Sequence, residues 1–340
     1  GDASRHCEWH GMFDTNIFGD SVDVWTSIDT HVLMYTFLPP LIYASSHRID
    51  VHIFTQYVGQ VLVLAGPGVM LSTGITAFFT YSAAPADYGW SWWSCMAFGA
   101  MLSATDPVAV VALLHELGAP KKLGIVIEGE SLFNDGTALV LFLICFKAMQ
   151  GHPKSIGESI FFFSQLAIGG ACVGAVMGQI MVSLLRYFQE PLLEIILSLI
   201  FSYGTYVLSE QIYVSGVLAV VFLGLVVAEK GQVEYTSVET MHHFWKMLEF
   251  VANTVVFVVA GLIIGEQFVA KDHELNIYDW IFLFELYAGL WAIRAVVVAF
   301  FSPALRYFGV GMESREIFTL VHAGLRGAVG LAVGLVIEQT

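Results

Sequence analysis

Of 340 residues, 57% are hydrophobic and only 13% charged, and the mean hydropathy is +0.73. A soluble domain carries roughly 25% charged residues, so the composition excludes a soluble globular fold. The formal charge of -15, from 14 basic and 29 acidic residues, excludes a basic nucleic-acid-binding surface.

Residues 1–28 are polar and acidic and read as an exposed lead-in. Ten apolar stretches follow, at about 29–46, 52–82, 90–117, 121–149, 157–187, 191–209, 212–229, 239–266, 277–308 and 314–338. Each can cross roughly 30 Å of hydrocarbon at about 1.5 Å per residue. They predict an all-α polytopic membrane protein, a multi-pass chain with the lipid bilayer as its partner. Residue 1 is Gly, no signal-peptide pattern precedes it, and the last apolar segment breaks off, so the chain reads as an internal piece of a longer protein. Cys7, Cys95, Cys145 and Cys172 are scattered, with neither a disulfide nor a zinc spacing. Nothing in the sequence calls for a cofactor.

Basic residues orient the spans. With residues 1–28 outside, the inner connections hold Arg48, Lys121, Lys122, Arg186, Lys230, Lys246, Arg306 and Arg315. The outer loops hold only Lys147, Lys154 and Lys271. The positive-inside rule selects that orientation.

The first span contains Pro39-Pro40, which predicts a kink. Trp90, Trp92 and Trp93 open the third span as an interfacial belt. Within that span lies Ala104-Thr105-Asp106-Pro107. Pro107 gives no N–H to a helix and clashes with the preceding turn. The span is therefore expected to break here, leaving carbonyls free near mid-membrane. Asp106 would cap the half-helix that follows. A plain kinked helix is the alternative, but it leaves the charge unused. His115-Glu116 lacks the second His of a zinc helix.

The fourth span carries Glu128-Gly129-Glu130-Ser131-Leu132-Phe133-Asn134-Asp135-Gly136. A carboxylate at the bilayer centre costs roughly 2.5–3.5 kcal/mol on insertion scales, so Asp135 marks a function. Ser131 and Asp135, four residues apart, share a helix face, as do Glu130 and Asn134. Ser131 and Asp135 can face an ion held also by the carbonyl of Thr105, an oxygen set suited to a hard cation such as Na⁺. Glu130 is expected to pair with Arg294 of the ninth span. Gly129 and Gly136 allow close helix approach. Burial disfavours a charged carboxylate, so a proton and a metal ion compete for Asp135. Only a loaded carboxylate, protonated or metal-bound, hides its charge well enough to cross. With Asn rather than Asp at 134, one proton trades for one monovalent cation. The alternative is a structural polar cluster.

Further on, His242 and His243 lie on an inner amphipathic stretch, and Glu249 near an inner end is expected to snorkel or pair locally. The last span, with His322-Ala323-Gly324-Leu325-Arg326-Gly327-Ala328-Val329-Gly330, is weakened by glycine and places a cation at its break. The third and tenth spans can thus be counterparts in two inverted repeats, with crossed, broken helices.

These motifs resemble the eukaryotic Na⁺/H⁺ exchanger family of the cation/proton antiporters. The resemblance lies in Ala104-Thr105-Asp106-Pro107-Val108-Ala109-Val110, Gly129-Glu130-Ser131-Leu132-Phe133-Asn134-Asp135, Gly324-Leu325-Arg326-Gly327-Ala328, Leu38-Pro39-Pro40 and Arg294. It covers nearly everything from about residue 30. Ile127-Glu128-Gly129-Glu130-Ser131 and Ala252-Asn253-Thr254 are most similar to plant plasma-membrane salt-extrusion and animal sperm-type exchangers. The resemblance implies a secondary antiporter rather than an enzyme, a homodimer working by an elevator motion, and a plasma-membrane rather than endosomal location. It implies core-type helices over 52–149 and 277–338 and dimerisation-type helices over 29–46 and 191–266. It assigns ion and proton binding to Asp135, with Asn134, Ser131, Thr105 and Asp106; a structural pair to Glu130 and Arg294; and the helix crossing to Arg326. Ala44 stands where many relatives are acidic, and Asn253 where well-known animal exchangers have Glu, which leaves the choice among Na⁺, Li⁺ and K⁺ open. Two other readings compete. One is a regulatory or sensor module that retains the fold with little transport. The other is an intramembrane hydrolase, which lacks a Ser/His or zinc constellation.

Overall fold

A computed structural model describes residues 30–84, 89–152, 155–269, 277–308 and 310–324. The acidic lead-in, Arg326 and the second half of the last expected span lie outside the described residues. Among those residues every element is helical: α1 (Thr30–Ser46), α2 (Val51–Val63), α3 (Val69–Ala83), α4 (Trp92–Ser103), α5 (Val108–Glu116), α6 (Lys121–Met149), α7 (Ile156–Leu185), α8 (Pro191–Gln211), α9 (Gly216–Val226), α10 (Val238–Val269), α11 (Ile277–Tyr307) and α12 (Ser314–His322). Among the described residues seven stretches, 51–83, 92–116, 121–149, 157–185, 191–211, 238–265 and 277–307, are long and apolar enough to cross a membrane.

Local chemistry sets most boundaries. Asp50 caps α2 by accepting from the N–H groups of His52 and Ile53 at 3.1 and 3.2 Å. Ser91 caps α4 and Ser215 caps α9, which starts α9 four residues later than hydropathy alone suggests. Ser155 and Glu158 form a reciprocal capping box at α7. Pro191 opens α8, where its missing N–H has no helical partner to lose. The expected second span is interrupted by a π-helical turn, Leu64–Gly68, with Pro67 inside it. The expected third span is broken at 104–107, between α4 and α5.

The helices pack in two groups. α2–α6 associate with α11 and α12, while α1 associates with α7–α10; α6 touches both groups. In the second group α7 meets α9 almost backbone to backbone through Gly170, Gly174 and Gly178. A Cβ on Gly174 would lie 2.0 Å from the Ala219 carbonyl oxygen, and one on Gly170 would lie 2.6 Å from that of Ser215. Small residues four apart permit this contact where lipid offers no hydrophobic drive. The expected close approaches at Gly129 and Gly136 also form, against Phe54 of α2 and Leu218 of α9.

At the end of α1, beyond the helix, His47 is 1% exposed. Its ring stacks on Tyr43 at 5.1 Å and lies 5.6 Å from His242. Its Nδ1 donates to the Tyr43 carbonyl at 2.9 Å, and its Nε2 is buried without a partner. Burial pushes His47 down to about 3, opposed by the bond to Tyr43 and aided by Arg48 and His242. The folded value lies below the ordinary one, so the stability this histidine confers is complete above about pH 6.5 and is lost as the pH falls from there towards 3. We expect the detergent-solubilised protein to lose about 1.4 kcal/mol per pH unit from this group in that window. Thermal unfolding between pH 7 and 5 checks it: His47→Gln should flatten the acid loss, and an unchanged pH slope would assign the loss elsewhere.

Candidate functional site

The site is built on α6, whose residues 129–134 are all buried. Glu130 is 2% exposed and accepts both guanidinium Nη groups of Arg294 from α11, through Oε1 and, at 2.8 Å, Oε2. The second Nη also donates to the Leu320 carbonyl of α12 at 3.3 Å. Gly324 lies against the Arg294 side chain, where a Cβ would come within 3.1 Å of Nε. The pair thus ties three helices together in the membrane interior, as the isolated intramembrane Arg predicts.

One turn along, α6 holds the broken segment between α4 and α5. The Ser131 hydroxyl donates to the Thr105 carbonyl. The Asn134 amide donates to the Ser103 carbonyl at 2.9 Å and to the Thr105 hydroxyl at 3.1 Å. Ser103 is in turn bonded to Thr73 of α3 at 3.1 Å and donates to the Gly99 carbonyl at 2.7 Å. Asp106 accepts from the Val108 N–H, the first of α5, at 3.0 Å, although Pro107 and not Asp106 occupies the N-cap position. Carbonyls released by Pro107 are therefore met by α6 side chains rather than left to the bilayer. The Thr105 carbonyl, expected free for an ion, accepts from Ser131 here; a carbonyl oxygen has a second lone pair.

The structure thus brings Thr105, Ser131 and Asn134 into one hydrogen-bonded cluster, with Asp106 at the break and Asp135 adjacent on α6. Asp135 differs from its neighbours. It is half-buried, and no hydrogen bond engages its carboxylate among the described residues. Asp106 is the charged group acting on it. The Asn134 Oδ1 is buried and likewise unpartnered. The carboxylate oxygens of Asp135 and the Oδ1 of Asn134 are thus acceptors left open beside the broken segment, an arrangement suited to a cation or a proton. Ser103 and Thr73 were not singled out from sequence. Their signal was faint: hydroxyls in apolar helices usually bond their own backbone. Glu249, expected to snorkel or pair locally, is held instead by Arg48, 201 residues away in the chain, at 2.6 Å.

Comparisons with known proteins identify the family. The family described as "Sodium/hydrogen exchanger, transmembrane" matches residues 11–340. Sodium/hydrogen exchanger 7 of Arabidopsis thaliana is 38% identical over 347 residues, covering 100% of this chain and 30% of that protein. Sodium/hydrogen exchanger 8 of the same plant is 38% identical, covering 95% of this chain and 43% of that protein. The chain therefore spans less than half the length of these two relatives. The Na(+)/H(+) antiporter NhaP of Pseudomonas aeruginosa is 32% identical, covering 90% of this chain and 73% of that protein. In fold, the chain matches the sodium proton antiporter MjNhaP1 of Methanocaldococcus jannaschii with a TM-score of 0.72 at 17% identity, over 94% of this chain and 76% of that one. The broken helix, the intramembrane ion pair and the family match across residues 11–340 lead to one assignment: the chain is a multi-pass integral membrane protein and belongs to the sodium/hydrogen exchanger family, a family of transporters rather than enzymes.

Proposed function

We propose that the protein exchanges Na⁺, with Li⁺ or K⁺ as possible substitutes, for H⁺ across a membrane, by competition of cation and proton for Asp135. The observation that carries this reading is the contrast within α6. Glu130 is neutralised by Arg294 at bonding distance, whereas Asp135, five residues on, has no such partner among the described residues. A carboxylate placed in a membrane span without a fixed counter-charge must take a mobile one. Ser131, Thr105, Asn134 and Asp106 complete the site, with Na⁺ as substrate at Asp135, Ser131 and Thr105. Asn134 adds no charge, so the exchange is one for one and electroneutral. Arg326 takes the crossing of the broken helices.

The packing of α2–α6, α11 and α12 supports a mobile core, and that of α1 with α8–α10 supports a dimerisation scaffold. On this reading the core carries inverted repeats with two crossed, broken helices, moves as an elevator, and works within a homodimer of the longer parent protein at the plasma membrane. The relatives' names support Na⁺ and H⁺ as the exchanged pair.

The test uses the full-length parent protein in proteoliposomes with an imposed pH gradient. Na⁺ should dissipate the gradient, and Asp135→Asn should abolish that flux while leaving a folded protein. Equal rates for both would remove Asp135 from the mechanism; a folded parent with no flux would favour the regulatory reading. Electroneutrality is checked in the same vesicles: clamping the membrane potential should leave the rate unchanged, and a turnover current would contradict the one-for-one stoichiometry. Arg294 serves a different purpose. Arg294→Ala should cost about 3–5 kcal/mol of stability, because it strands a buried carboxylate. Lower melting together with lower exchange per cell is expected; an unshifted melting temperature would contradict the structural role of the pair.

A further inference from the structure

A second charged cluster lies at the end of the helices that the positive-inside rule places inward. Arg48, just beyond α1, donates through Nη2 to Glu249 of α10 at 2.6 Å and through Nε to the Ala44 carbonyl at 2.8 Å. The Arg48 side chain is 31% exposed and that of Glu249 only 11%. Facing them is Glu128 of α6. It is half-buried, and no hydrogen bond or ion pair reaches it among the described residues. The charged and titratable groups that act on it are Arg48, His115 and Glu249, while Asp106 acts on Glu249. Glu128 precedes Ser131 by three residues and Asp135 by seven, so all three lie on one face of α6.

The helices make this more than a surface pair. α1 packs against both α10 and α6. Arg48 and Glu249 belong to one helix group and Glu128 to the other. A single guanidinium therefore stands between a carboxylate that shares its own frame and one on the face that carries Asp135. Arg suits this place because it stays charged at any working pH and presents five donors. A fixed pair within one frame would leave Glu128, partly withdrawn from water, without a counter-charge in every state. Sliding one group along the other changes the distance from Arg48 to Glu128 and leaves its distance to Glu249 unchanged.

We propose that Arg48 is the exchangeable cation of an inner gate: held by Glu249 it leaves Glu128 open to an arriving cation, and transferred to Glu128 it closes the approach to Asp135. The proposal rests on the antiport reading above and gives that reading a positioning residue that does not touch the transported ion at Asp135. Arg48 then acts as a tethered competitor for the same carboxylate that collects Na⁺.

Two measurements on the full-length parent test it. The first needs no transport. In a background with the natural cysteines replaced by Ser, Arg48→Cys is combined with Glu249→Cys or with Glu128→Cys, and each pair is treated in membranes with a short bis-methanethiosulfonate. Both pairs should cross-link, with Na⁺ lowering the yield of the Glu128 pair relative to the Glu249 pair. A Glu128 pair that never cross-links, or yields indifferent to Na⁺, would overturn the gate. The second is a double-mutant cycle in proteoliposomes. Glu128→Gln should raise the KM for Na⁺ at the inner face by about fivefold, the low end of coupling between two sites, with kcat little changed. In an Arg48→Gln background that effect should vanish, and Arg48→Lys should restore it in part. Fully additive effects would reduce Arg48 and Glu249 to a static pair. If the wild-type parent exchanges no Na⁺, the antiport reading fails, and the cross-linking still decides whether Arg48 changes partner.

Discussion

A bilayer rejects an isolated charge, and Glu130 and Arg294 persist inside this one because each is the other's solvent. Two parallel N–H···O bonds satisfy both carboxylate oxygens, and the guanidinium's further bond to the Leu320 carbonyl fastens α12 to the same point. The register of α6 against α11 is fixed by that fork, since a rotation of either helix would strand two charges. Everything else on α6 inherits its position from it. Ser131 and Asn134 reach the broken segment at 103–105 because Glu130 has already determined which way the helix faces.

The break between α4 and α5 has the opposite character. It exposes backbone that a continuous helix would have bonded internally; side chains from α6 make good the loss, and Thr73 of α3 bonds the Ser103 hydroxyl beside it. The segment is held by hydroxyl and amide groups without formal charge, so it can accept rearranged bonds at lower cost than an ion pair can. The glycine contacts of α7 with α9 contrast with both. Backbones in such contact leave little room for relative movement.

Much of this was legible in the chain itself. Pro107 beside Asp106 announced a broken span, and the structure interrupts the helix at 104–107. Glu130 and Arg294 could be paired from sequence because an Arg amid apolar residues has few partners to choose from. Other features were hidden for physical reasons. Ser103 and Thr73 are ordinary residues of apolar helices, and only the approach of α3 to α4 makes them part of the site. The glycine series at 170, 174 and 178 was present at the right spacing but gains meaning only once α9 is known to be the neighbour. Arg48 and Glu249 are 201 residues apart, and each alone looks like a charge at a helix end. Arg326 and the far half of the last span lie outside the described residues, so the crossing assigned to them remains part of the proposal.

The π-helical turn at Leu64–Gly68 has a consequence for how this chain can vary. A π turn holds one residue more than an α turn, and one residue corresponds to about 100° of rotation about the helix axis. The turn therefore sets the azimuth of all of α3, including the buried row Thr73, Thr76 and Thr80 and the bond from Thr73 to Ser103. Deleting a single apolar residue there would leave hydropathy, length class and charge almost unaltered. It would nonetheless turn those hydroxyls towards lipid and withdraw support from the broken helix. In this region the number of residues is itself under constraint, independently of which residues they are.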